Sequence, residues 1–549
     1  KRLPSRKQDF ALEVQELLKL YAAHPQVTAL DTLLKNDTSR NIFLKGLNGS
    51  GPAMTIASLF TKGRGSYVCV LNDQEEAGYF YHDLMQLTAS NEVYFFPSAY
   101  RRAIKYGHVD PANEILRTEV LSRLQDPDAS FVIVTYPDAL AERVVAREVL
   151  KENTLKISVG EKLDNMFVSD VLDEYGFEQV DYVYEPGQYA LRGSILDVFS
   201  FSNEFPYRID FFGDEVETIR TFDVETQLSK EKLDSIYIVP EMSKNAKDST
   251  SLLGSLPRNT FIAARDLAWC KERIGSVWND DPVVADEESF ADIDQMRKKL
   301  VRGEDFLREV LDFRRIHFGA RPMGTADATI HFSTQTQPIY HKNFDRVSES
   351  FHKYLDEGYT LYILSDQEKQ ANRIRMIFED RGDNIPFTAV NRTIHEGFAD
   401  DTLRICFFTD HQLFDRFHKF NLKSDKARSG KITLSLKELN QFSQGDYIVH
   451  IDHGVGQFGG LVRTEVNGKM QEAIKLIYQN NDIIFVSIHS LHKLSKYKGK
   501  ESGEPPKLSK LGTGAWEKMK ERTKAKVKDI ARDLILLYSK RKQETGFAY

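Results

Sequence analysis

From residue 41 onward the chain alternates between continuous apolar runs and stretches with helical spacing. "NIFLKGLNGSGPAMTIASLF" reads as strand, glycine-rich turn and helix, and "GRGSYVCVLNDQEEAGYFYHDLMQL" supplies the next strand and helix. "NEVYFFPSAY" and "FVIVTYPDALAERV" continue the alternation, so residues 1–153 are expected to form a parallel α/β domain. Over 154–240 the pattern changes to short strands split by Gly and Pro, which predicts an inserted α+β domain, with Gly213-Asp214 as a two-residue hairpin turn. The mixed, charged segment 241–338 reads as a return to the first domain, and 339–428 as a further small α/β domain. Residues 440–497 carry several short strands punctuated by glycine, with Asn467-Gly468 as the strongest hairpin signal in the chain, and this predicts a small β-barrel. Within 506–549 a long helix is predicted from about Trp516 to Gln543, with Trp516, Met519, Val527, Ile530, Leu534 and Tyr538 on one stripe. The fold class is therefore multidomain α/β.

Composition narrows the setting. At 549 residues the chain exceeds what one core serves, and 41% hydrophobic with 28% charged residues is ordinary for a folded, soluble protein. No apolar run approaches the ~18 residues that cross a bilayer, and "KRLPSRKQDF" offers no apolar signal core, so a cytoplasmic protein with no membrane partner is expected. Cys69, Cys270 and Cys406 lie far apart in or near apolar runs, as reduced core thiols do. A net charge of -7 argues against a chain that coats nucleic acid along its length. The terminal helix is locally basic, with ten Lys and Arg against four acids over 516–543, which suits a solvated face or a phosphate contact.

The turn "GLNGSGPA" sets the chemical question. Gly46 and Gly51 have the spacing of a phosphate-cradling loop, with Gly49 between them, but Pro52 and Ala53 stand where the loop needs Lys and Ser/Thr. Pro52 offers neither charge nor N–H, although it suits the first turn of a helix. Without the Lys that draws charge from the β and γ phosphates and the hydroxyl that holds magnesium, hydrolysis here is not expected. "SGKIT" (429–433), "FFGDEVE" and "VVADEES" fail as nucleotide motifs on context. No metal site is expected: His450 and His453, three apart on a predicted strand, point to opposite faces. No nucleophile–base set can be assigned from spacing.

Two motifs carry a resemblance. "RGSILDVF", continued by "PYRIDFFGDEVETIRTFDVETQ", is similar to the UvrB-type insertion, and "VHIDHGVGQFGG" to the RNA-polymerase-interacting domain shared with CarD-type factors. Together, in this order, they resemble the amino-terminal half of bacterial transcription-repair coupling factors over essentially the whole chain. The resemblance implies a RecA-like degenerate P-loop domain over 1–153 and 241–338 (UvrB-like 1A and 1B), a UvrA-binding domain over 154–240, a third domain over 339–428, a Tudor/SH3-like barrel over 440–497 and a connecting helix in 506–549. It makes the glycine loop a relic of an ATPase site kept as scaffold. "FFPSAYRRAIKYGHVDPANEILRTEVL" leaves no room for the long aromatic hairpin of UvrB, so lesion reading is not expected. Two helicase-like motor domains, with ATP, magnesium and double-stranded DNA as their ligands, are expected further along the full-length protein; no cofactor is expected in this part.

Two surfaces follow. In "PYRIDFF" the strand period sends Tyr207, Ile209 and Phe211 to one face and Arg208, Asp210 and Phe212 to the other, which leaves an aromatic among charges on a wet face. The resemblance implies that Arg192, Arg208 and Phe212 bind UvrA. If Leu461, Val462, Arg463, Thr464, Glu465 and Val466 lie on a sheet edge, their backbone can accept a partner strand, and the resemblance implies docking there on the β subunit of RNA polymerase. The function expected is that of an adaptor. The rivals are an active UvrB-type helicase or ATPase and a CarD-like transcription regulator, the latter leaving the first 430 or so residues unexplained.

Overall fold

The computed structural model describes residues 13–36, 39–90, 92–99, 111–126, 128–181, 183, 186–224, 228–240, 249–279, 297–416, 418, 420, 442–466, 469–487, 493–497, 506–520 and 522–523. They fall in two compact units, Lys1–Ala427 and Arg428–Tyr549.

The first unit is built on a seven-stranded parallel sheet. Its spatial order is Ala328–His331, Asn41–Lys45, Arg314–His317, Phe261–Ala264, Tyr67–Val70, Val132–Thr135 and Val93–Phe95. The interior strands are runs such as "YVCV" and "FIAA", apolar on both faces because helices cover both sides. Three of the seven strands come from beyond residue 260, so the sheet forms only when the late segment packs back onto the early one. Ser50 precedes the helix Gly51–Thr61, and Pro52 sits in its first turn, where its missing N–H costs nothing. Asp73 caps Gln74–Thr88 by accepting from the Glu76 amide at 2.8 Å.

The insertion has its own core. Leu155–Ser158 pairs antiparallel with Ser235–Ile238, which brings its entry and exit together. Between them lies a six-stranded sheet ordered Ser229–Leu233, Glu215–Phe222, Tyr207–Phe212, Ile195–Val198, Gln188–Arg192 and Glu178–Gln179, covered on one face by the helix Asn165–Glu174 through Val168 and Leu172. Phe212 pairs with Glu215 across Gly213-Asp214, and Gly213 has φ +64°, as the hairpin signal requires. A further five-stranded sheet, Thr334–Thr336, Phe398–Asp400, Ile405–Thr409, Thr360–Leu364 and Thr388–Val390, is mixed, with two antiparallel pairings on the Thr334–Thr336 side. The three cysteines are buried in these cores, and burial pushes their thiols up.

The second unit contains an antiparallel sheet ordered Ile483–Ser487, Lys469–Ile477, Gly454–Val466, Tyr447–His450 and Leu494–Lys496. A closed barrel was expected here, but among the described residues the sheet is open. Closure needs the first and last strands to pair, and the last, three residues long, bonds only to Tyr447–His450. The long strand bends instead at a register shift between Phe458 and Leu461, where Gly460 has φ +98°. Asn467 and Gly468 lie outside the described residues, as does the terminal helix beyond its first turns. Those turns hold to the sheet through Trp516 Nε1 and Lys520 Nζ, which donate to the Ile451 carbonyl at 3.0 and 3.1 Å. No helix among the described residues is long and apolar enough to cross a membrane.

Candidate functional site

The glycine loop leaves the carboxyl end of Asn41–Lys45, the place where a parallel sheet presents phosphate sites. Several of its amides are already used. The Asn48 N–H donates to Thr334 Oγ1 at 2.9 Å and the Ser50 N–H to the Glu396 carbonyl at 3.0 Å, while Gly51 and Met54 bond within the turn. Neighbouring backbone also packs closely against the loop's glycines. A Cβ on Gly46 would stand 2.2 Å from the Phe332 carbonyl oxygen, and one on Gly49 would stand 2.9 Å from that of Gly397. Pro52 and Ala53 are buried. The loop thus works as a joint between the seven-stranded sheet and the 393–398 segment, with protein carbonyl and hydroxyl oxygens as its acceptors.

A buried polar group secures the joint. The Asp83 carboxylate accepts from the Ser50 hydroxyl and, at 2.7 Å, from the His395 amide, while Ser50 Oγ accepts from the Glu396 amide at 3.0 Å. Burial pushes the Asp83 carboxyl up to about 8, and the bonds from Ser50 and His395 hold it back. Beside it the Tyr79 ring stacks on His395 at 3.4 Å and the His411 ring on His418 at 4.3 Å, with His82 edge-on to His418. Burial pushes His82 down to about 4 and lowers His411. Sequence reasoning missed this histidine group, because His82 lies more than 300 residues from His395, His411 and His418 and no spacing rule joins them. No three His, Cys, Asp or Glu side chains among the described residues are grouped to hold a metal. The strand-period argument about His450 and His453 does not apply, because the strand ends at His450 and the following turn brings the two rings within 4.5 Å.

The predicted residues of the insertion are brought together. Tyr207, Ile209 and Phe211 are buried, and Phe212 is 79% exposed at the hairpin tip. Arg208 and Arg192 converge on one carboxylate that sequence reasoning missed. Asp197 lies directly across from Arg208 in register and accepts from its Nε at 2.7 Å and Nη2 at 2.8 Å, and also from Arg192 Nη2. Asp197 is buried and the Arg208 side chain is only 14% exposed, with its guanidinium 4.2 Å above the Phe222 ring. These bonds to Asp197 raise the Arg208 guanidinium above its usual range. Arg208 is therefore first a structural group that orders the face, whereas Arg192 and Phe212 are the ones a partner can reach. The only sequence signal for Asp197 was an acid inside the apolar strand "ILDV".

In the second unit, Tyr447–His450 covers the long strand only at Gly454–Gln457. From Leu461 to Val466 that strand bonds on one side, to Lys469–Ile474, and among the described residues no strand pairs with its other side. Leu461 is 47% exposed and Val462 half-buried; the side chains of Arg463, Thr464 and Glu465 lie outside the described set. Ile483–Ser487 is a second edge, with Ile483 and Phe485 exposed.

Comparison with known proteins bears on both surfaces. The UvrB interaction domain matches residues 155–243, the stretch that carries Arg192, Arg208 and Phe212. The CarD-like/TRCF RID domain matches residues 442–498, which include the open strand. Along 92% of its length the chain is similar, at 25% identity, to a transcription-repair-coupling factor of Bacillus subtilis (strain 168), covering 49% of that protein. A transcription-repair-coupling factor of Staphylococcus aureus (strain NCTC 8325 / PS 47) is also 25% identical, over 95% of this chain and 52% of its own. The chain spans about half the length of these curated relatives.

Proposed function

We propose that this chain, which joins a UvrB interaction domain to a CarD-like/TRCF RID domain in one polypeptide similar to transcription-repair-coupling factors, is the adaptor part of such a factor. One surface, around Phe212, recruits UvrA. The other, the Leu461–Val466 edge, adds a strand to the β subunit of RNA polymerase stalled at DNA damage, with backbone bonds giving affinity and alternate side chains specificity. ATP turnover, magnesium and double-stranded DNA belong, in this reading, to motor domains of the full-length protein, and the work is cytoplasmic. An ATPase at the glycine loop is disfavoured because the Asn48 and Ser50 amides already have protein acceptors.

The observation that carries the reading is the large, solvent-facing Phe212 beside paired arginines inside the segment matched to the UvrB interaction domain. A pull-down with purified UvrA and with the polymerase β subunit tests it, alongside an ATP-turnover control. Capture of both without turnover is expected; capture of neither overturns the adaptor reading. For the second surface, Thr464→Pro, which breaks the regular strand in the middle of Leu461–Val466, is expected to weaken polymerase binding in a native gel shift. An unchanged shift places the docking strand elsewhere.

A further inference from the structure

Two further apolar side chains on the insertion have no role in its core. Met166 is 65% exposed and Phe167 52% exposed, both in the first turn of Asn165–Glu174, while Val168 and Leu172 of the same helix are buried under it. The turn is tied to both hairpin tips that carry the proposed UvrA contacts. Asn165 Nδ2 donates to the Gly193 carbonyl at 3.2 Å, next to Arg192, and the Leu163 N–H donates to the Asp214 carbonyl at 2.7 Å, two residues from Phe212. Lys162 bridges to Glu215 and the Val216 N–H donates to the Glu161 carbonyl at 2.9 Å, so the 161–167 segment runs beside the Phe212 hairpin as an added strand and helix start. Asp164 fixes the helix start by accepting from the Met166 amide at 3.0 Å.

Large apolar side chains scattered singly need no explanation, but three gathered around two joined tips and rimmed by charge have the composition of an interface centre. We infer that Met166 and Phe167, on the helix-bearing side, and Phe212, on the other, form one apolar docking surface wrapped around the joined tips whose occupant is UvrA, so that the contact reaches beyond Arg192 onto the helix start. This rests on the adaptor reading and deepens it. The aromatic rings supply rigid buried area, and the thioether adapts to an irregular pocket. The partner it fits presents an apolar hollow with acidic groups at the rim to meet Arg192.

The test pairs a variant with a footprint. Met166→Ser with Phe167→Ser is expected to weaken UvrA affinity about 30-fold with thermal unfolding unchanged, because neither side chain is in the core. Independently of any variant, mild peroxide oxidises exposed methionines. Saturating UvrA is expected to protect Met166 in the unaltered chain while Met376, 61% exposed on Glu368–Asp380, still oxidises. Undiminished affinity of the double variant together with unprotected Met166, while Phe212→Ala loses binding, overturns the extension and leaves the adaptor reading standing. Failure of the unaltered chain to bind UvrA overturns both. Self-association of the chain that the double variant abolishes assigns the face to a second copy and overturns the proposal.

Discussion

The loop at Gly46–Gly51 and the tips at Gly193 and Gly213 are all glycine-bearing reversals at strand ends, yet they do opposite things. At the first, the Asn48 and Ser50 amides are bonded to protein, and chain at Phe332 and 396–397 packs directly against Gly46 and Gly49. At the second, Gly193 and Gly213 would meet nothing if a Cβ were added, and an aromatic stands in water beside them. Turn chemistry alone therefore does not make a site. What neighbours the turn, and whether it consumes the polar groups, decides between an internal joint and an open surface.

The comparison can be broken hardest at Asp197. Asp197→Ala strands the Arg208 guanidinium without its buried partner and is expected to cost about 3–5 kcal/mol in urea unfolding of the insertion. A loss under about 1 kcal/mol would mean the pair is solvated and Arg208 is free to serve a partner directly. Phe212→Ala is expected to move stability by no more than about 0.5 kcal/mol yet cost about 2 kcal/mol or more in UvrA affinity, read by calorimetry. At the joint, supplying the Lys and hydroxyl of a phosphate loop with Pro52→Lys and Ala53→Thr should not create magnesium-ADP binding, since the Asn48 and Ser50 amides stay bonded to protein. It should instead destabilise by about 1–3 kcal/mol through overpacking of a buried turn; saturable binding of a fluorescent ADP would refute the joint.

The smallest effect is a pH slope. In the fold Asp83 holds its proton up to about 8, whereas the unfolded chain releases it near the ordinary 3.8, so its contribution is full below 3.8 and is lost as pH rises to 8. His82 and His317, both pushed by burial to about 4, work the other way: each contributes above its ordinary 6.5 and loses that as pH falls toward 4. Below 6.5 these terms oppose one another. Between about 6.5 and 8 stability should therefore decline with rising pH, and Asp83→Asn should flatten most of that decline in chemical denaturation at stepped pH.

Much of this was legible in the residues. The alternation of apolar runs and helical spacing announced the parallel sheet, the Gly213-Asp214 turn is where its signal put it, and the period of two in "PYRIDFF" separated core from wet face correctly, including the exposed Phe212. The barrel expected for the second unit is not seen to close among the described residues, and strand count and turn spacing say nothing about whether the two outer strands meet. Asp197, His395 and Glu396 were invisible as site groups because their partners lie on other strands or hundreds of residues away.

The sequence by itself determined the local conformations and the absence of a cation and hydroxyl at the end of the glycine loop, since both depend on residue type and short spacing. Only the tertiary structure decided what the loop's amides bond to and which arginine is spoken for. Those outcomes rest on which distant donors and acceptors reach each other out of water, and a buried polar group takes whichever partner the packing delivers.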